Sequence, residues 1–267
     1  MGRRAKMVPI SKTIDIPPEE RINNNITKSF ADNVDNFGAI GRLSFVKASD
    51  GTTDYCTATM IKTDNGNIAL TAAHCLWDIL ANNWNSDVNF YPGYNNGPQG
   101  IGNVQAITWT IWSNFEEDET MFDYGFIKLH YQDGRKLQDD IGAFDVEFDI
   151  PGGDYPVTVF GYPESGDMPN CPKDGEHLCS WQGNTFDFDQ NLPNHELYRG
   201  IPIDVGGGSS GGPWIRDYDP NTNTGVITGV SHGLLHSPYP SQGYTATWRW
   251  YKDDFSSLLQ LAEDNNP

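Results

Sequence analysis

Long apolar runs and basic residues are both scarce in this sequence. No stretch approaches the roughly 18 apolar residues that a membrane-spanning helix needs. Lysine and arginine together number 17 against 36 aspartates and glutamates, so the formal net charge at pH 7 is −19. A chain this anionic repels phosphate backbones and anionic lipid surfaces. We therefore expect neither a membrane nor a nucleic acid among its partners.

The start of the chain shows no secretion signal. Residues 1–6 are basic, as in the first part of a signal peptide, but residues 7–10 lead into polar residues and not into an apolar core. The polar segment that follows contains a Pro-Pro-Glu-Glu stretch and a run of three asparagines. Residues 1–36 are therefore interpreted as a pro-segment or a strap over the surface, with a loose tail as the alternative.

Cysteine is rare, and its spacing is unlike that of a zinc site. The sequence contains no C-x-x-C pair. Four cysteines allow three different pairings, and they are Cys56, Cys75, Cys171 and Cys179. The last two flank a Pro-Lys-Asp-Gly turn, which favours a local bridge. Two disulfides would indicate an oxidising compartment and hence a secreted protein, whereas buried free thiols are the alternative. We expect no metal and no cofactor.

Glycine and proline, by contrast, are frequent in the 267 residues, at 28 and 17 copies. Such a composition favours many short strands joined by turns, and so an all-β fold. The first predicted strands are 40–47, 55–61, 68–71, 88–91, 104–112 and 125–129. After a polar stretch the second set follows, at 145–150, 157–161, 177–182, 197–201, 225–231 and 244–248.

The end of the chain has a different pattern. Phe255, Leu258 and Ala262 recur at helical spacing, after two aspartates, Asp253 and Asp254, either of which can cap a helix. We predict a short closing helix here, packed on the second set of strands.

Three short motifs carry candidate chemistry. Glycines surround Ser210 in Gly-Gly-Gly-Ser-Ser-Gly-Gly-Pro, so the backbone there can approach a substrate closely and aim N–H groups at one point. A serine needs a base, and His74 follows a predicted strand in Thr-Ala-Ala-His-Cys. The base needs an orienting carboxylate, and Asp123 precedes an apolar strand. A flexible glycine loop and a turn aspartate are the alternatives for the isolated motifs.

The order His74, Asp123, Ser210 resembles that of the chymotrypsin-like serine peptidases. Within that group the chain is most similar to the bacterial glutamyl endopeptidases and their fungal relatives. That similarity rests on residues 56–61, 90–95, 122–125 and 160–163, within a match over residues 38–261. It implies two six-stranded antiparallel barrels with a short C-terminal helix. The implied division is a first barrel over 37–135, a second barrel over 136–251 and the helix and tail over 252–267.

The resemblance also implies a role for each motif residue. Ser210 would be the nucleophile, His74 the general base and then acid, and Asp123 the carboxylate that fixes the imidazole tautomer. Gly208 and Ser210 would supply the two N–H groups of the oxyanion hole. The implied function is a monomeric serine endopeptidase that acts on polypeptides through an acyl-enzyme.

Four residues are candidates for substrate binding. Ser231, His232 and Gly233 fall where the family has a strand that pairs with substrate backbone, and the Ser231 hydroxyl is a candidate to reach Asp123. His232 could hydrogen-bond a substrate carboxylate, whereas Asp204, if it lies at the pocket floor, would select lysine or arginine. A solvated loop aspartate is the alternative for Asp204, so an acidic, a basic and a broad preference all stay open.

A cysteine pair and one serine compare with the family in opposite ways. Cys56 and Cys75 match the family's bridge beside the base, which implies their pairing. Ser209 stands where trypsin-type enzymes carry an aspartate that captures a new N-terminus, so activation by that ion pair is not expected.

Two other functions compete with hydrolysis. A catalytically silent binding module could retain a peptidase fold. A lectin-like or structural β protein would explain aromatic residues such as Trp109, Trp112 and Trp181, but it leaves the three ordered motifs as coincidence.

Overall fold

A computed structural model describes residues 5–7, 38–117, 122–132, 134–150, 153–188, 198–234 and 244–265. Within them the strands are β1 (Ala5–Met7), β2 (Ile40–Val46), β3 (Thr53–Met60), β4 (Ile68–Thr71), β5 (Trp77–Asp78), β6 (Asn83–Trp84), β7 (Ser86–Pro92), β8 (Val104–Trp112), β9 (Gly125–Leu129), β10 (Asp145–Val146), β11 (Pro156–Gly161), β12 (Cys179–Asn184), β13 (Phe186–Asp187), β14 (Tyr198–Ile201), β15 (Pro213–Asp219), β16 (Thr224–Val230), β17 (Gly233–Leu234) and β18 (Thr245–Trp248). The α-helices are α1 (Ser113–Glu117), α2 (Leu137–Ile141) and α3 (Lys252–Asp264).

The first half of the chain forms a closed barrel of six strands. Their order is β8-β7-β2-β3-β4-β9, and β9 pairs back with β8. Every one of these pairings is antiparallel. Strand β1 adds to β8 outside the ring, with Ala5 opposite Trp112. All six predicted strands of this half are confirmed, because their apolar runs line one barrel core.

The second half differs from the predicted six-stranded antiparallel barrel. Its described strands form two sheets, β10-β16-β15-β11-β12 and β13-β14-β18-β17, and β10 pairs with β16 in parallel. Strand β15, which lies between β11 and β16, was not predicted. The chain passes from the first of these sheets to the second at Thr185, between β12 and β13, and again between β16 and β17.

Helix α3 is confirmed, but its contacts are not confined to the predicted second half, where the Phe255 ring lies 4.9 Å from that of Phe148 between centroids. It packs mainly on β8 and β9 of the first barrel, where the Phe255 ring stacks on Tyr124 at 5.6 Å between centroids. The Nζ atom of Lys128 on β9 donates to the Glu263 and Asn265 carbonyls, at 2.8 and 2.9 Å. The helix begins after Tyr251 without a side-chain cap, so the two aspartates lie in its first turn instead of capping it.

Both predicted disulfides are present. Cys56 pairs with Cys75, and Cys171 pairs with Cys179. The first bridge joins β3 to the turn after β4. Among the described residues, no helix is long and apolar enough to cross a membrane.

Candidate active site

His74 stands on a turn that is fixed on two sides. Strand β4 is buried along its whole length and ends at Thr71, after which Ala73–Cys75 form one 3-10 turn. The neighbours Ala73 and Cys75 are buried, and Cys75 is covalently tied to β3. The His74 side chain itself keeps about a third of its surface exposed, at 34%. The imidazole therefore projects from a rigid support toward solvent.

The strand register brings Asp123 to this turn. Thr71 at the end of β4 pairs with Gly125 at the start of β9, so the residues after Thr71 meet those before Gly125. The Asp123 side chain is 1% exposed. Its Oδ1 atom accepts the His74 backbone N–H at 2.9 Å, and its Oδ2 atom accepts from His74 Nδ1 at 2.8 Å. A proton held on Nδ1 leaves Nε2 as the basic nitrogen.

A second imidazole shares the same carboxylate. His232 Nδ1 also hydrogen-bonds Asp123 Oδ2, and the two imidazole rings lie edge to face with centroids 6.2 Å apart. The expected contact between the Ser231 hydroxyl and Asp123 is not formed. That hydroxyl is buried and instead accepts a hydrogen bond from the Trp214 indole at 3.1 Å. His232 thus takes the place next to Asp123 that was expected for Ser231.

The charge of this cluster is set by its surroundings. Burial by itself would raise the pKa of the Asp123 carboxyl, but the imidazoles of His74 and His232 lower it more, so its pKa lies below the usual range. The carboxylate is therefore ionised at neutral pH. One ligand atom each from these three residues lies within 4.8 Å of the others, a spacing that a metal ion could also use.

Acid unfolding should report this depressed pKa. A carboxyl whose folded pKa is lowered contributes stability that is complete above its unfolded value, about 4, and is lost as the pH falls toward the folded value. We expect the unfolding free energy of the wild type to fall more steeply between about pH 4 and 2 than that of Asp123→Asn. Urea titrations of both proteins across this range would measure the difference. Parallel curves would contradict the assignment.

The loop over residues 205–212, here called the serine loop, is oriented by its backbone hydrogen bonds. Ser209 is fully buried, and its hydroxyl donates to the Val205 carbonyl at 2.8 Å. Ser210 is half-buried, and its carbonyl accepts from Thr57 N–H on β3 at 2.8 Å. Gly211 follows with a φ of +78°, and its N–H donates to the Ser231 carbonyl at 2.8 Å. Of the two adjacent serines, Ser210 is the one whose side chain is accessible.

The direction of each candidate oxyanion N–H group is fixed by the hydrogen bond that the carbonyl of the same peptide group accepts. In a trans peptide the C=O and N–H bonds point in opposite directions. The Gly207 carbonyl accepts from Glu164 N–H at 2.8 Å, and the Ser209 carbonyl accepts from Gly212 N–H at 2.9 Å. The N–H groups of Gly208 and Ser210 therefore point away from these partners. Within the described chain, neither of the two donates a hydrogen bond.

Gly208 cannot carry a side chain without disturbing this arrangement. Its φ is +84°, and a Cβ there would stand 2.3 Å from the Tyr162 carbonyl oxygen. If the Gly208 N–H serves an oxyanion hole, as the resemblance implies, Gly208→Ala should lower kcat/KM for peptide hydrolysis by on the order of 10²-fold, the usual cost of one lost oxyanion donor. Gly102→Ala is the matched control, since Gly102 has a φ of +78° with open space around it. Equal activity of the two variants would contradict this role for Gly208.

The remaining predicted residues occupy different settings. The Asp204 carboxylate accepts from Gly206 N–H at 2.8 Å and so shapes the turn that precedes the serine loop. Gly233 lies on β17 opposite Ala246, and a Cβ on it would meet open space. Sequence reasoning missed the shared position of His232 and the contacts of Thr57. Residues 56–61 contribute to the family resemblance, but nothing in the sequence indicates these contacts.

Comparison with known proteins gives sequence and structural relatives. No family model matches the chain. Over 206 residues it is 25% identical to a glutamyl endopeptidase of Bacillus licheniformis, a match that covers 76% of this chain and 58% of that protein. The chain thus spans less than two thirds of the length of that relative.

Solved structures share the fold. A protease from Arthrobacter nicotinovorans, called Anisep, superposes with a TM-score of 0.71 at 24% identity, over 86% of this chain and 98% of that one. A thermostable serine protease, AL20, gives 0.70 at 23% identity over 86% and 99%. Inactivated protease paralogues of the scabies mite share the fold as well, so the fold does not establish activity. These findings confirm the predicted resemblance: the chain has a chymotrypsin-like fold and is related in sequence to glutamyl endopeptidase.

Proposed function

We propose that this protein is a secreted, monomeric serine endopeptidase that cleaves polypeptides through an acyl-enzyme. The observation that carries the proposal is the shared carboxylate of Asp123, which holds both the backbone and the ring of His74. An accessible imidazole held by a fully buried carboxylate is the kind of ionisable pair that clusters at functional sites. The two disulfides fit an oxidising compartment.

The chemistry follows from the tautomer. His74 Nε2 removes the proton from the Ser210 hydroxyl while the serine oxygen attacks the substrate carbonyl. The negative charge on the carbonyl oxygen is stabilised by the N–H groups of Gly208 and Ser210. His74 then gives the proton to the leaving amine, which leaves an acyl-Ser210 ester. Water attacks this ester in the same way, and the released acid restores Ser210.

The alternative is a binding module that retains the fold without the activity. It would bind peptides and release them intact. Digestion of an unbiased peptide library, followed by mass spectrometry of the products, separates the two functions. We expect new termini to accumulate with the wild type and not with Ser210→Ala. Peptide binding without any new termini would favour the module.

For primary specificity we propose an acidic residue before the cleaved bond. The carboxylate of Asp204 already accepts from its own loop, which weakens its candidacy as a partner for lysine or arginine. The sequence relative is a glutamyl endopeptidase. His232 uses Nδ1 for Asp123, so its Nε2 can donate to a substrate carboxylate only when the ring is an imidazolium.

A pair of His232 variants should test this geometry. Asparagine places its amide nitrogen where Nδ1 was, whereas glutamine places it where Nε2 was. We expect His232→Asn to keep the contact to Asp123. Its kcat/KM for cleavage after glutamate should nevertheless fall at least tenfold relative to that for cleavage after glutamine. His232→Gln should retain more of that preference. The measurement is the ratio of kcat/KM for paired Glu and Gln peptides. Cleavage after arginine that Asp204→Ala abolishes would contradict the proposal.

A further inference from the structure

Thr57 on β3 is buried and makes hydrogen bonds with both halves of the molecule. Its N–H donates to the Ser210 carbonyl at 2.8 Å, and its carbonyl accepts from the Thr71 hydroxyl at 2.8 Å. Its own hydroxyl donates to the Gly208 carbonyl at 2.9 Å and accepts from Tyr162 N–H at 3.1 Å. The side-chain hydroxyl therefore hydrogen-bonds only to the second half, at Gly208 in the serine loop and at Tyr162 directly after β11.

The backbone of Thr57 can bond to the serine loop because β3 is not paired with β4 at this residue. Pairing between β3 and β4 covers only Thr59 and Met60, so the edge of β3 at Thr57 is open to another segment. The serine loop takes that edge. The adjacent residue, Cys56, is bonded to the turn that carries His74. Two consecutive residues of β3 thus hold the two candidate segments. Cys56 is bonded to the turn of His74, and Thr57 is hydrogen-bonded to the loop of Ser210.

The hydroxyl of Thr57 acts on the peptide groups around Gly208. Its bond to the Gly208 carbonyl fixes the peptide that follows Gly208. Its bond from Tyr162 N–H fixes the residue whose carbonyl oxygen would stand 2.3 Å from a Cβ on Gly208. Gly208 is thereby held from two sides. The Gly208 N–H belongs to the preceding peptide, whose Gly207 carbonyl accepts from Glu164 N–H, whereas Thr57 holds the peptide that follows Gly208. A glycine has no side chain to resist rotation between these two peptides, so the direction of its N–H depends on both bonds.

We propose that Thr57 is a positioning residue, whose hydroxyl aims the Gly208 N–H at the oxyanion. The proposal rests on the peptidase function proposed above. A valine has the same shape as threonine but can neither donate to the Gly208 carbonyl nor accept from Tyr162 N–H. A serine keeps both bonds. Thr57→Val should therefore loosen the serine loop and Thr57→Ser should not.

The strand provides a matched control. Thr59 is as buried as Thr57, but within the described residues its hydroxyl has no hydrogen-bond partner. Thr59→Val removes a hydroxyl from the same strand without removing a bond to the serine loop.

The test combines hydrogen–deuterium exchange with kinetics. In Thr57→Val we expect faster exchange in the peptide that spans residues 205–212, and wild-type exchange there in Thr57→Ser and Thr59→Val. With peptide substrates, kcat should fall by on the order of tenfold or more in Thr57→Val at nearly constant KM, because the oxyanion contact is made in the transition state. Thr57→Ser should restore kcat to within a few-fold of the wild-type value.

Each outcome decides between the two proposals. Unchanged exchange in Thr57→Val overturns the positioning role, whether or not the protein is a peptidase. If exchange is altered in Thr57→Val but the wild-type protein cleaves no peptide, the positioning contact stands and the peptidase function is overturned. A loss of kcat in Thr59→Val equal to that in Thr57→Val also overturns the positioning role. If Thr57→Val does not fold, Thr57→Ala, which leaves room for water at the Gly208 carbonyl, is compared with Thr57→Ser.

Discussion

Ser210→Ala is expected to abolish peptide hydrolysis while the protein stays folded and still binds peptides. The expected loss in kcat is on the order of 10⁶-fold, because removal of the nucleophile ends the acyl-enzyme route. His74→Ala should cost nearly as much, and the double variant should be little worse than either single one, since the two groups act as a unit. Initial rates with a chromogenic peptide, together with circular dichroism, would measure activity and folding.

Ser209→Ala is the control for this result. Ser209 is buried, and its hydroxyl donates to the Val205 carbonyl within the same loop. Its replacement should cost stability but leave the hydrolytic chemistry in place. A Ser210→Ala variant with near-wild-type activity, beside an inactive Ser209→Ala variant, would show that the register of the motif is wrong.

Asp123→Asn is the second substitution with a large expected effect. The carboxylate accepts the His74 backbone N–H, the His74 ring and the His232 ring. An asparagine offers only one acceptor oxygen and turns an amide donor toward these groups, so it favours the imidazole tautomer with the proton on Nε2. We expect kcat to fall by on the order of 10⁴-fold.

The pH profile gives this prediction a further readout. If the tautomer is the cause, activity of Asp123→Asn should recover at alkaline pH, where hydroxide can replace the imidazole as base. At neutral pH, the reactivity of Ser210 toward a fluorophosphonate should fall in Asp123→Asn together with kcat. Retention of activity within tenfold of the wild type at neutral pH would contradict the role of Asp123.

The first barrel could be predicted from the sequence because its signals are local. Each of its six strands is a short apolar or alternating run bounded by turn residues, and hairpin neighbours lie close in sequence. The helix α3 was equally visible from the spacing of Phe255, Leu258 and Ala262. Its docking on β8 and β9 was not, since that depends on Tyr124 and Lys128, more than a hundred residues away in the chain.

The second half shows where local signals are insufficient. Strand β15 begins at Pro213, directly after the glycine-rich motif, and its Trp214 and Ile215 are fully buried. Its later part lies within residues 217–223, whose alternating oxygen-bearing side chains indicate a hairpin turn and so hide the strand. The parallel pairing of β10 with β16 joins residues about 80 positions apart. No periodicity within either segment indicates that partner.

In the candidate site, the pairing of His74 with Asp123 could be predicted because a general base needs an orienting carboxylate in a recognisable context. The contacts of His232 and Thr57 could not. His232 was predicted to face substrate, and its bond to Asp123 depends on where β16 ends relative to the first barrel. Thr57 is an ordinary strand residue in sequence. Its importance follows only from the serine loop that lies along its edge.

The most direct test of the proposed function is the intact mass of the protein after treatment with a fluorophosphonate. An activated serine oxygen displaces fluoride from phosphorus and gains a stable adduct, whereas an ordinary serine does not react. We predict one adduct per chain, mapped to Ser210, absent from Ser210→Ala and retained in Ser209→Ala. A wild-type protein that gains no adduct, or gains it on another serine, would contradict the account.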